Sequence, residues 1–324
     1  MPRVALAVAV IVGVPVVLVG YVSLVEAALR PLSARAASRL RPWLWLAPGC
    51  FFLAVFLVYP SIETIRLSFL GPDSKQPVGL ANYVFLFTDG AMRIALRNNG
   101  FWLVGFTALT VFLGLLVAVL TDRVRYESVA KSIVFLPMAI SFTAASVIWK
   151  FMFDYQPAGA TQTGTLNAVL TLLLPGFQPQ AWLVNSPLNN LFLIIASVWV
   201  WTGFCMVILS AALKGISGDV LEAARVDGAN EWQVFRSVTL PLLAPTVAVA
   251  VTIMLVFALK TFDVVYVMTS GNFNTQIIAF SQYQQMFINR DFGHASAIGV
   301  LLLVAILPVL AFNLQRFRQQ EAIR

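Results

Sequence analysis

The chain has 324 residues, of which 60% are hydrophobic and only 11% are charged. Because a soluble domain carries about a quarter charged residues, this composition excludes an ordinary soluble protein and predicts an all-α integral membrane protein. The net charge is +7, but the basic residues lie mostly in short loops, where they report membrane topology, so we expect no nucleic-acid partner. A single histidine, His294, and two cysteines without zinc or disulfide spacing, Cys50 and Cys205, argue against a metal site.

A helix needs about 20 apolar residues to cross the hydrocarbon core of a bilayer. Seven stretches meet that length, and they are 4–25, 43–68, 100–120, 131–152, 189–213, 244–268 and 294–314. We therefore predict a polytopic bundle of about seven transmembrane helices. We divide it into an extra N-terminal helix with a basic loop, residues 1–42, and a six-helix core, residues 43–324.

The first stretch has an alternative interpretation as a cleaved signal peptide. It is too long for the apolar part of such a peptide, only Arg3 precedes it, and no A-x-A cleavage site follows it. We prefer an uncleaved helix.

Basic residues concentrate in the loops on one side of the predicted bundle. They are Arg30, Arg35, Arg39 and Arg41, then Arg123, Arg125 and Lys131, then Arg316, Arg318 and Arg324 in the tail. The long 153–187 loop contains no Lys or Arg. Because cytoplasmic loops are enriched in Lys and Arg, we predict an outside N-terminus and a cytoplasmic C-terminus. Within the long outer loop, residues 166–174 are too short to span and predict a surface or re-entrant helix.

The charged 214–243 loop contains the stretch EAARVDGANEWQVFRSVTLP. We predict that Asp219 caps a short helix, that Gly228 ends it in a left-handed conformation, and that Asn230 caps a second helix with Gln233 three residues on. Leu240-Pro241 is expected to end that second helix. The pattern therefore indicates two short helices at an angle to each other, held close to the membrane.

Trp232 and Phe235 lie three residues apart, so the second short helix is expected to present an aromatic face. One interpretation is that a partner protein covers this face. The other is that both rings lie at the lipid headgroup boundary. Geometry alone leaves the two equally open.

The loop resembles the EAA motif of the permease subunits of bacterial ABC importers. The resemblance rests on Glu222-Ala223-Ala224, on Gly228 and on the V-T-L-P run that ends at Pro241, in which Val238 stands where the family usually has Ile. Other stretches are similar to sugar permeases related to the maltose transporter, and most of all to alpha-glucoside permeases: RPWLWLAPGCFFLAVFLVYP, SIVFLPMAIS, KTFDVVYVMTSG and RDFGHASAIGVLLL. The similarity covers about residues 40–316.

The resemblance implies a coupling helix that sits in a cleft of a separate ATPase subunit. The residues it assigns to ATPase coupling are Glu222, Ala223, Ala224, Asp227, Gly228, Ala229, Trp232, Phe235, Leu240 and Pro241. It also implies a second homologous permease, two ATPase subunits and an external solute-binding protein. The chain has no G-x-x-x-x-G-K-[ST] loop, so we expect no cofactor or catalysis here and assign ATP and Mg²⁺ to the ATPase subunits.

Two predicted spans flank this loop and carry a candidate substrate site. Ser197, Trp201 and Phe204 form one stripe on the fifth span, and Met254, Phe257 and Thr261 form another on the sixth. The resemblance to the maltose transporter assigns a sugar-binding role to Phe204, Phe257 and Thr261. Trp201 and Ser197 are weaker candidates for the same role. Ordinary helix packing explains aromatic stripes equally well.

Lys260 lies inside the sixth predicted span, where a lysine costs about 3 kcal/mol on insertion scales. It is expected either to pair with Asp263 three residues on or to donate a hydrogen bond to a sugar or act as a gate. Glu63 and Arg66 are also three residues apart, and this spacing predicts a similar structural ion pair.

Four other functions are weaker. A permease for glycerol phosphate would need more cations along its path than Lys260, and a polyamine permease is a further alternative within the family. A secondary transporter would show inverted repeats and intramembrane carboxylates, and a membrane enzyme would show clustered His, Cys or paired carboxylates. Docking of the binding protein is assigned in general terms to polar residues of the outer loop: Gln156, Gln162, Asn167, Gln178 and Asn185.

Overall fold

The computed structural model describes the backbone of residues 2–122 and 124–321, and the side chains of residues 13, 15–122 and 124–311. Five of the basic residues used for topology lie outside the described side chains: Arg3, Arg123, Arg316, Arg318 and Arg324. Over the described ranges the chain is helical, with one isolated bridge between Leu70 and Pro77 and no named strand. This confirms the predicted all-α class.

The described part of the chain forms thirteen helices. They are α1 Pro2–Leu29, α2 Ala34–Leu67, α3 Ala81–Thr88, α4 Gly90–Thr121, α5 Glu127–Phe135, α6 Phe142–Met152, α7 Thr165–Leu173, α8 Leu188–Lys214, α9 Gly218–Val226, α10 Glu231–Lys260, α11 Asp263–Met268, α12 Ile278–Tyr283 and α13 Phe292–Glu321. Helices α2, α4 and α10 each contain one wider, π-helical turn, at Ala54–Val58, Trp102–Phe106 and Phe235–Thr239.

The chain divides into two compact units, Met1–Arg66 and Leu67–Arg324. In the first unit α1 and α2 form a hairpin, and Arg41 pairs with Glu26 at 3.0 Å near its turn. The predicted functional boundary after residue 42 stays a prediction. Helix α2 runs through that position without interruption.

The predicted pair of Glu63 and Arg66 on α2 is confirmed. Two guanidinium nitrogens of Arg66 donate to the two carboxylate oxygens of Glu63, at 2.8 and 2.5 Å. Because both side chains are more than a third exposed, the pair contributes little to stability.

In the second unit, α4, α8 and α10 pack around a common core. Its large members are fully buried, and they include Trp102, Phe106, Leu193, Met206, Leu209 and Met254. Helices that pack inside a membrane are held by van der Waals contact rather than by the hydrophobic effect, so the fit of these side chains determines the arrangement.

Five described helices are long and apolar enough to cross a membrane: α2, α4, α8, α10 and the Phe292–Ala311 part of α13. They confirm the predicted spans 43–68, 100–120, 189–213 and 294–314, although the helices that contain the first two begin well before the predicted starts, at Ala34 and Gly90. The predicted 4–25 span lies in α1, whose described apolar part is Pro15–Leu29.

The predicted span 131–152 is not one continuous helix. Helices α5 and α6 meet at an angle of 98° and form a bent pair. The reason is local. Pro137 lies in a 3₁₀ turn, Ile140 is extended, and the Ser141 hydroxyl caps α6 by accepting a bond from the amide of Ala144 at 3.2 Å.

The predicted limits of the sixth span, 244–268, are also wrong at both ends. Helix α10 begins at Glu231, inside the charged loop, and ends at Lys260. Thr261 adopts an extended conformation, and a separate short helix, α11, starts at Asp263. The span is therefore a broken helix.

The outer segment contains the predicted short helix. Helix α7 runs from Thr165 to Leu173, and Gly176 adopts a left-handed φ of +83° shortly after it. Asn167 is fully buried and bonds the backbone of Asp154 and Gln180, so this candidate docking residue is inaccessible and holds the segment together instead.

Candidate coupling segment and substrate site

The first helix of the charged loop, α9, begins two residues earlier than predicted. Ser217 occupies the N-cap position, and Asp219 lies in the first turn, so the predicted Asp219 cap is wrong. A carboxylate in the first turn still interacts favourably with the positive end of the helix dipole. Asp219 therefore supports the start of α9 electrostatically.

The predicted turn at Gly228 is confirmed. Gly228 has a φ of +89°, and its amide donates to the carbonyl of Arg225 at 3.0 Å. The next amide, of Ala229, donates to the carbonyl of Ala224 at 3.1 Å. These bonds satisfy carbonyls that the end of α9 leaves free, and a residue with a Cβ would be strained at this φ.

The predicted cap at Asn230 is confirmed as a complete capping box. The amide of Gln233 donates to the Asn230 side chain at 2.9 Å, and the amide of Asn230 donates to the Gln233 side chain at 2.8 Å. The predicted stop at Leu240-Pro241 is wrong, because α10 continues through both residues. The π-helical turn at Phe235–Thr239 precedes Pro241, and a wider turn accommodates a proline that lacks an amide donor.

The segment is exposed and carries its charges outward. The side chain of Glu222 is exposed, and within the described residues its carboxylate makes no ion pair. Arg225 donates to Glu231 at 2.8 Å, which ties the end of α9 to the start of α10 and raises the pKa of Arg225. The angle between the two helices is thus set by Gly228 and by this ion pair.

A cavity of about 750 Å³ lies between the segment and the adjacent end of α4. Apolar side chains form most of its wall, and they include Phe112, Leu116, Leu120, Leu221, Trp232 and Phe235. The rings of Trp232 and Phe235 lie 5.8 Å apart, and Trp232 is 66% exposed. Open space therefore lies between the segment and α4 on this side.

The candidate substrate residues Trp201, Phe204 and Phe257 come together across α8 and α10. The ring centroid of Trp201 lies 3.8 Å from that of Phe257 and 5.9 Å from that of Phe204. Phe257 is 37% exposed, and the other two rings are half-buried. The structure thus forms an aromatic group that is accessible from one side.

The two hydroxyl candidates are buried beside this group. The hydroxyl of Thr261 donates to the carbonyl of Phe257 at 3.0 Å, and that of Ser197 donates to the carbonyl of Leu193 at 3.1 Å. Both protons are used within their own helix, but each oxygen keeps lone pairs that accept further bonds. Ser197 is only 1% exposed, so it is placed less favourably than Thr261.

Sequence reasoning missed the break in α10 next to these residues. Non-helical backbone at membrane depth occurs where it is buried in protein or lines a water-filled cavity, and transport sites use such discontinuous helices. The break at Thr261 and Phe262 lies directly beside the candidate residues. Its one sequence signal is the polar run from Lys260 to Asp263.

The predicted pair of Lys260 and Asp263 does not form. Lys260 is exposed at the end of α10, whereas Asp263 begins α11 and accepts a bond from the Thr143 hydroxyl at 2.9 Å. The break separates the two residues, which a continuous helix would have placed one turn apart. Within the described ranges Lys260 has no carboxylate partner and is available at the edge of the site.

Four asparagines that sequence reasoning did not single out fix the loop 269–277. Asn98 donates to the carbonyls of Asn274 and Gln276, at 2.7 and 2.8 Å. The remaining three contribute one bond each at 3.3 Å or less, and they are Asn99, Asn189 and Asn190. All four are at most 5% exposed. This predicted outer connector is a fixed part of the fold, although Ser270 and residues 272–274 are exposed.

Comparison with known proteins places this architecture in a family. The model of the family described as "binding-protein-dependent transport system inner membrane component" matches residues 110–323. The chain is 53% identical over 281 residues to the osmoprotective compounds uptake permease protein GgtC of Synechocystis, covering 87% of this chain and all of that protein. It is 43% identical to the alpha-glucoside transport system permease protein AglF of Rhizobium meliloti, covering 89% and 85% of the two chains.

A solved structure supports the same fold. It is a bacterial ABC transporter involved in import of the acidic polysaccharide alginate, and it matches 88% of this chain and 99% of its own with a TM-score of 0.73 at 24% identity. The capped segment, the broken helix and the family match are consistent with one another. The chain belongs to the binding-protein-dependent transport system inner membrane components, and it is a multi-pass permease subunit of an ABC importer.

Proposed function

We propose that this permease forms half of the pathway of an ATP-driven importer for neutral sugars of the alpha-glucoside or disaccharide class. The observation that carries the proposal is the aromatic group of Trp201, Phe204 and Phe257 beside the break in α10. Binding sites of this kind combine aromatic walls with a few polar groups that fix orientation. Thr261 and Lys260 supply an acceptor and a donor at its edge.

The charges at the site favour a neutral substrate. Of the six proposed contact residues only Lys260 is charged, whereas a phosphate ester would need several cationic donors and a polyamine would need carboxylates. One relative, named for alpha-glucoside transport, supports a neutral sugar, and another is named for uptake of osmoprotective compounds. Neutral osmoprotective solutes therefore belong in the substrate test.

The exposed segment from Glu222 to Pro241 is proposed to couple the permease to a separate ATPase subunit. Its shape is fixed by the Asn230 capping box and by the Gly228 turn, so it transmits a displacement without absorbing it. The cavity behind it leaves room for that displacement. Glu222 is the proposed charge partner of a basic residue on the ATPase.

The proposed complex contains this chain, a second homologous permease, two ATPase subunits that bind ATP and Mg²⁺, and an external solute-binding protein. ATP closes the ATPase pair, and the two permeases rock so that the cavity faces outward. The binding protein then delivers sugar, and hydrolysis reverses the tilt. ATP acts only through its different affinity for the two states.

The proposed orientation has an outside N-terminus and a cytoplasmic C-terminus in the inner membrane. A reporter fused after Arg324 should be active only in the cytoplasm, and a protease added outside should cleave a tag placed before Met1. Residues 1–42 are proposed to be dispensable. A chain that begins at residue 43 should therefore still transport, and complete loss of uptake at normal expression would contradict this division.

The substrate test uses the complete importer in proteoliposomes, with the binding protein outside and ATP inside. Uptake of labelled maltose, trehalose, sucrose and a neutral osmoprotective glycoside is compared with that of glycerol 3-phosphate and putrescine. We expect uptake of at least one neutral glycoside and of neither charged solute. Phe257→Ala should raise the KM about tenfold, while Phe101→Ala, at another exposed phenylalanine on α4, should leave it unchanged. Uptake of a charged solute alone would contradict the proposal.

A further inference from the structure

A cluster of charges joins the start of α5 to the end of α8. The carboxylate of Glu127 accepts bonds from Lys131, four residues on, and from Lys214 at 2.6 Å. Lys131 also donates to the hydroxyl of Ser210 on α8. The side chains of Glu127 and Lys131 are 24% and 16% exposed, so the cluster is partly shielded from solvent. These contacts fix α5 against the last turn of α8.

A second contact holds the other end of α5 on the same helix. A Cβ at Gly203 would lie 2.6 Å from the carbonyl oxygen of Val134 and 2.8 Å from the Cα of Phe135, so the two backbones touch there. Gly203 and Lys214 are eleven residues apart, which is about 16 Å along a helix. Helix α5 is therefore fixed to α8 at two separate points and cannot shift independently of it.

The second limb of the bent pair contacts the outer end of the proposed sugar site. The Thr143 hydroxyl on α6 donates to Asp263 at 2.9 Å, and the Lys150 ammonium donates to the carbonyl of Val267 at 3.0 Å. Both acceptors belong to α11, which starts two residues after Thr261. The bent pair thus joins the end of α8 to the segment beyond the break in α10.

We infer that the bent pair α5–α6 transmits movement of the coupling segment to α11, and that Glu127 is the positioning residue that makes it follow α8. Three residues, 215–217, separate Lys214 from α9, so a displacement of α9 reaches the cluster directly. The inference rests on the proposed coupling role of α9, but it does not depend on which solute is transported.

The competing explanation is that the cluster only stabilises the fold. The two explanations differ in one observable. A stabilising pair changes the melting temperature, whereas a positioning residue changes how far α6 moves when ATP binds while the melting temperature is kept. Glu127→Gln removes the charge and keeps the shape, and the charge exchange Glu127→Lys with Lys131→Glu and Lys214→Glu restores opposite charges in reverse.

The experiment measures a spin-label distance in the complete importer in nanodiscs, with and without ATP. Labels are placed by Phe151→Cys on α6 and Phe273→Cys in the fixed outer connector, both at exposed positions, with Cys50→Ser and with buried Cys205 retained. The unmodified cluster should give a shift of about 2–5 Å on ATP binding. Glu127→Gln should at least halve the shift at an unchanged melting temperature, and the charge exchange should restore it. Glu63→Gln, which breaks an ion pair of similar geometry on α2, is the matched control.

Two results would overturn the inference: no ATP-dependent shift with the cluster intact, or the same shift in Glu127→Gln as in the control. Sugar uptake is measured on the same preparations. A normal shift without uptake of any sugar would contradict the proposed substrate and leave the role of the bent pair supported. Normal uptake with an unaffected shift in Glu127→Gln would contradict the role of the bent pair and leave the substrate supported.

Discussion

The two polar connectors on either side of the sixth span are held in opposite ways. The coupling segment before α10 is exposed, and the bonds that shape it join residues three and six positions apart, Asn230 with Gln233 and Arg225 with Glu231. The outer connector 269–277 is clamped by bonds that span 84 to 179 positions. Local bonds preserve the shape of a segment that moves as a unit, whereas long-range bonds fix a segment in place.

The largest effect is expected in the fixed connector. Asn98→Ala removes both bonds: the carbonyl of Gln276 loses its donor, and that of Asn274 keeps only the longer bond from Asn190, which costs about 1–3 kcal/mol in all. The melting temperature of the purified complex should fall by about 10 °C. Asn185→Ala removes an exposed asparagine from the same side of the protein and should leave the melting temperature unchanged. Equal melting temperatures for the two variants would show that the connector is not clamped.

A smaller effect on stability but a large effect on coupling is expected at Gly228. Gly228→Val strains a φ of +89° and should change the angle between α9 and α10. ATP hydrolysis stimulated by the binding protein should fall about tenfold, with normal insertion into the membrane. Gly218→Ala is the control, since an added Cβ meets no atom within 4 Å there. If the two variants hydrolyse ATP alike, the angle of the segment is not important.

An intermediate effect is expected at the capping box. Asn230→Ala removes a cap worth about 1 kcal/mol, so stimulated hydrolysis should fall up to about fivefold through fraying of the start of α10. Asn230→Ser retains a side chain that accepts the same bond from the Gln233 amide and should stay within about twofold of the unmodified protein. Loss of hydrolysis in both variants to the same extent would exclude the cap as the cause.

The smallest effect is expected for the exposed pair of Arg225 and Glu231. Since the pair raises the pKa of Arg225, its contribution is present below the ordinary arginine pKa and is lost only above it. Stimulated hydrolysis by Arg225→Gln should be within about twofold of the unmodified protein. That ratio should stay constant between about pH 6 and pH 9. A severalfold change of the ratio over this range would mean that another titrating group controls the pair.

Local chemistry was predictable from the sequence, and long-range geometry was not. The capping box at Asn230, the turn at Gly228 and the pair of Glu63 and Arg66 each depend on residues at most a few positions apart. The 98° bend after Pro137 and the break at Thr261 were missed because both limbs of each remain apolar, so apolar patterning continues through both positions. The asparagine clamp joins residues that no sequence window contains.

For the candidate substrate site, too, local features were predicted and long-range ones were missed. Trp201, Phe204 and Phe257 were found through helical spacing and resemblance, and their rings do meet. The pairing of Lys260 with Asp263 failed because spacing was applied across a break. The cluster around Glu127 was missed because Lys214 and Ser210 lie about 80 positions from Lys131 and Glu127.

The central claim is that force from ATP enters this permease through its exposed segment. The most direct measurement is ATP hydrolysis by the complete importer carrying Glu222→Ala, with and without the sugar-loaded binding protein. We expect basal hydrolysis to persist and stimulation by the binding protein to fall about tenfold, together with uptake. Full stimulation and normal uptake in Glu222→Ala and in Gly228→Val would contradict the claim.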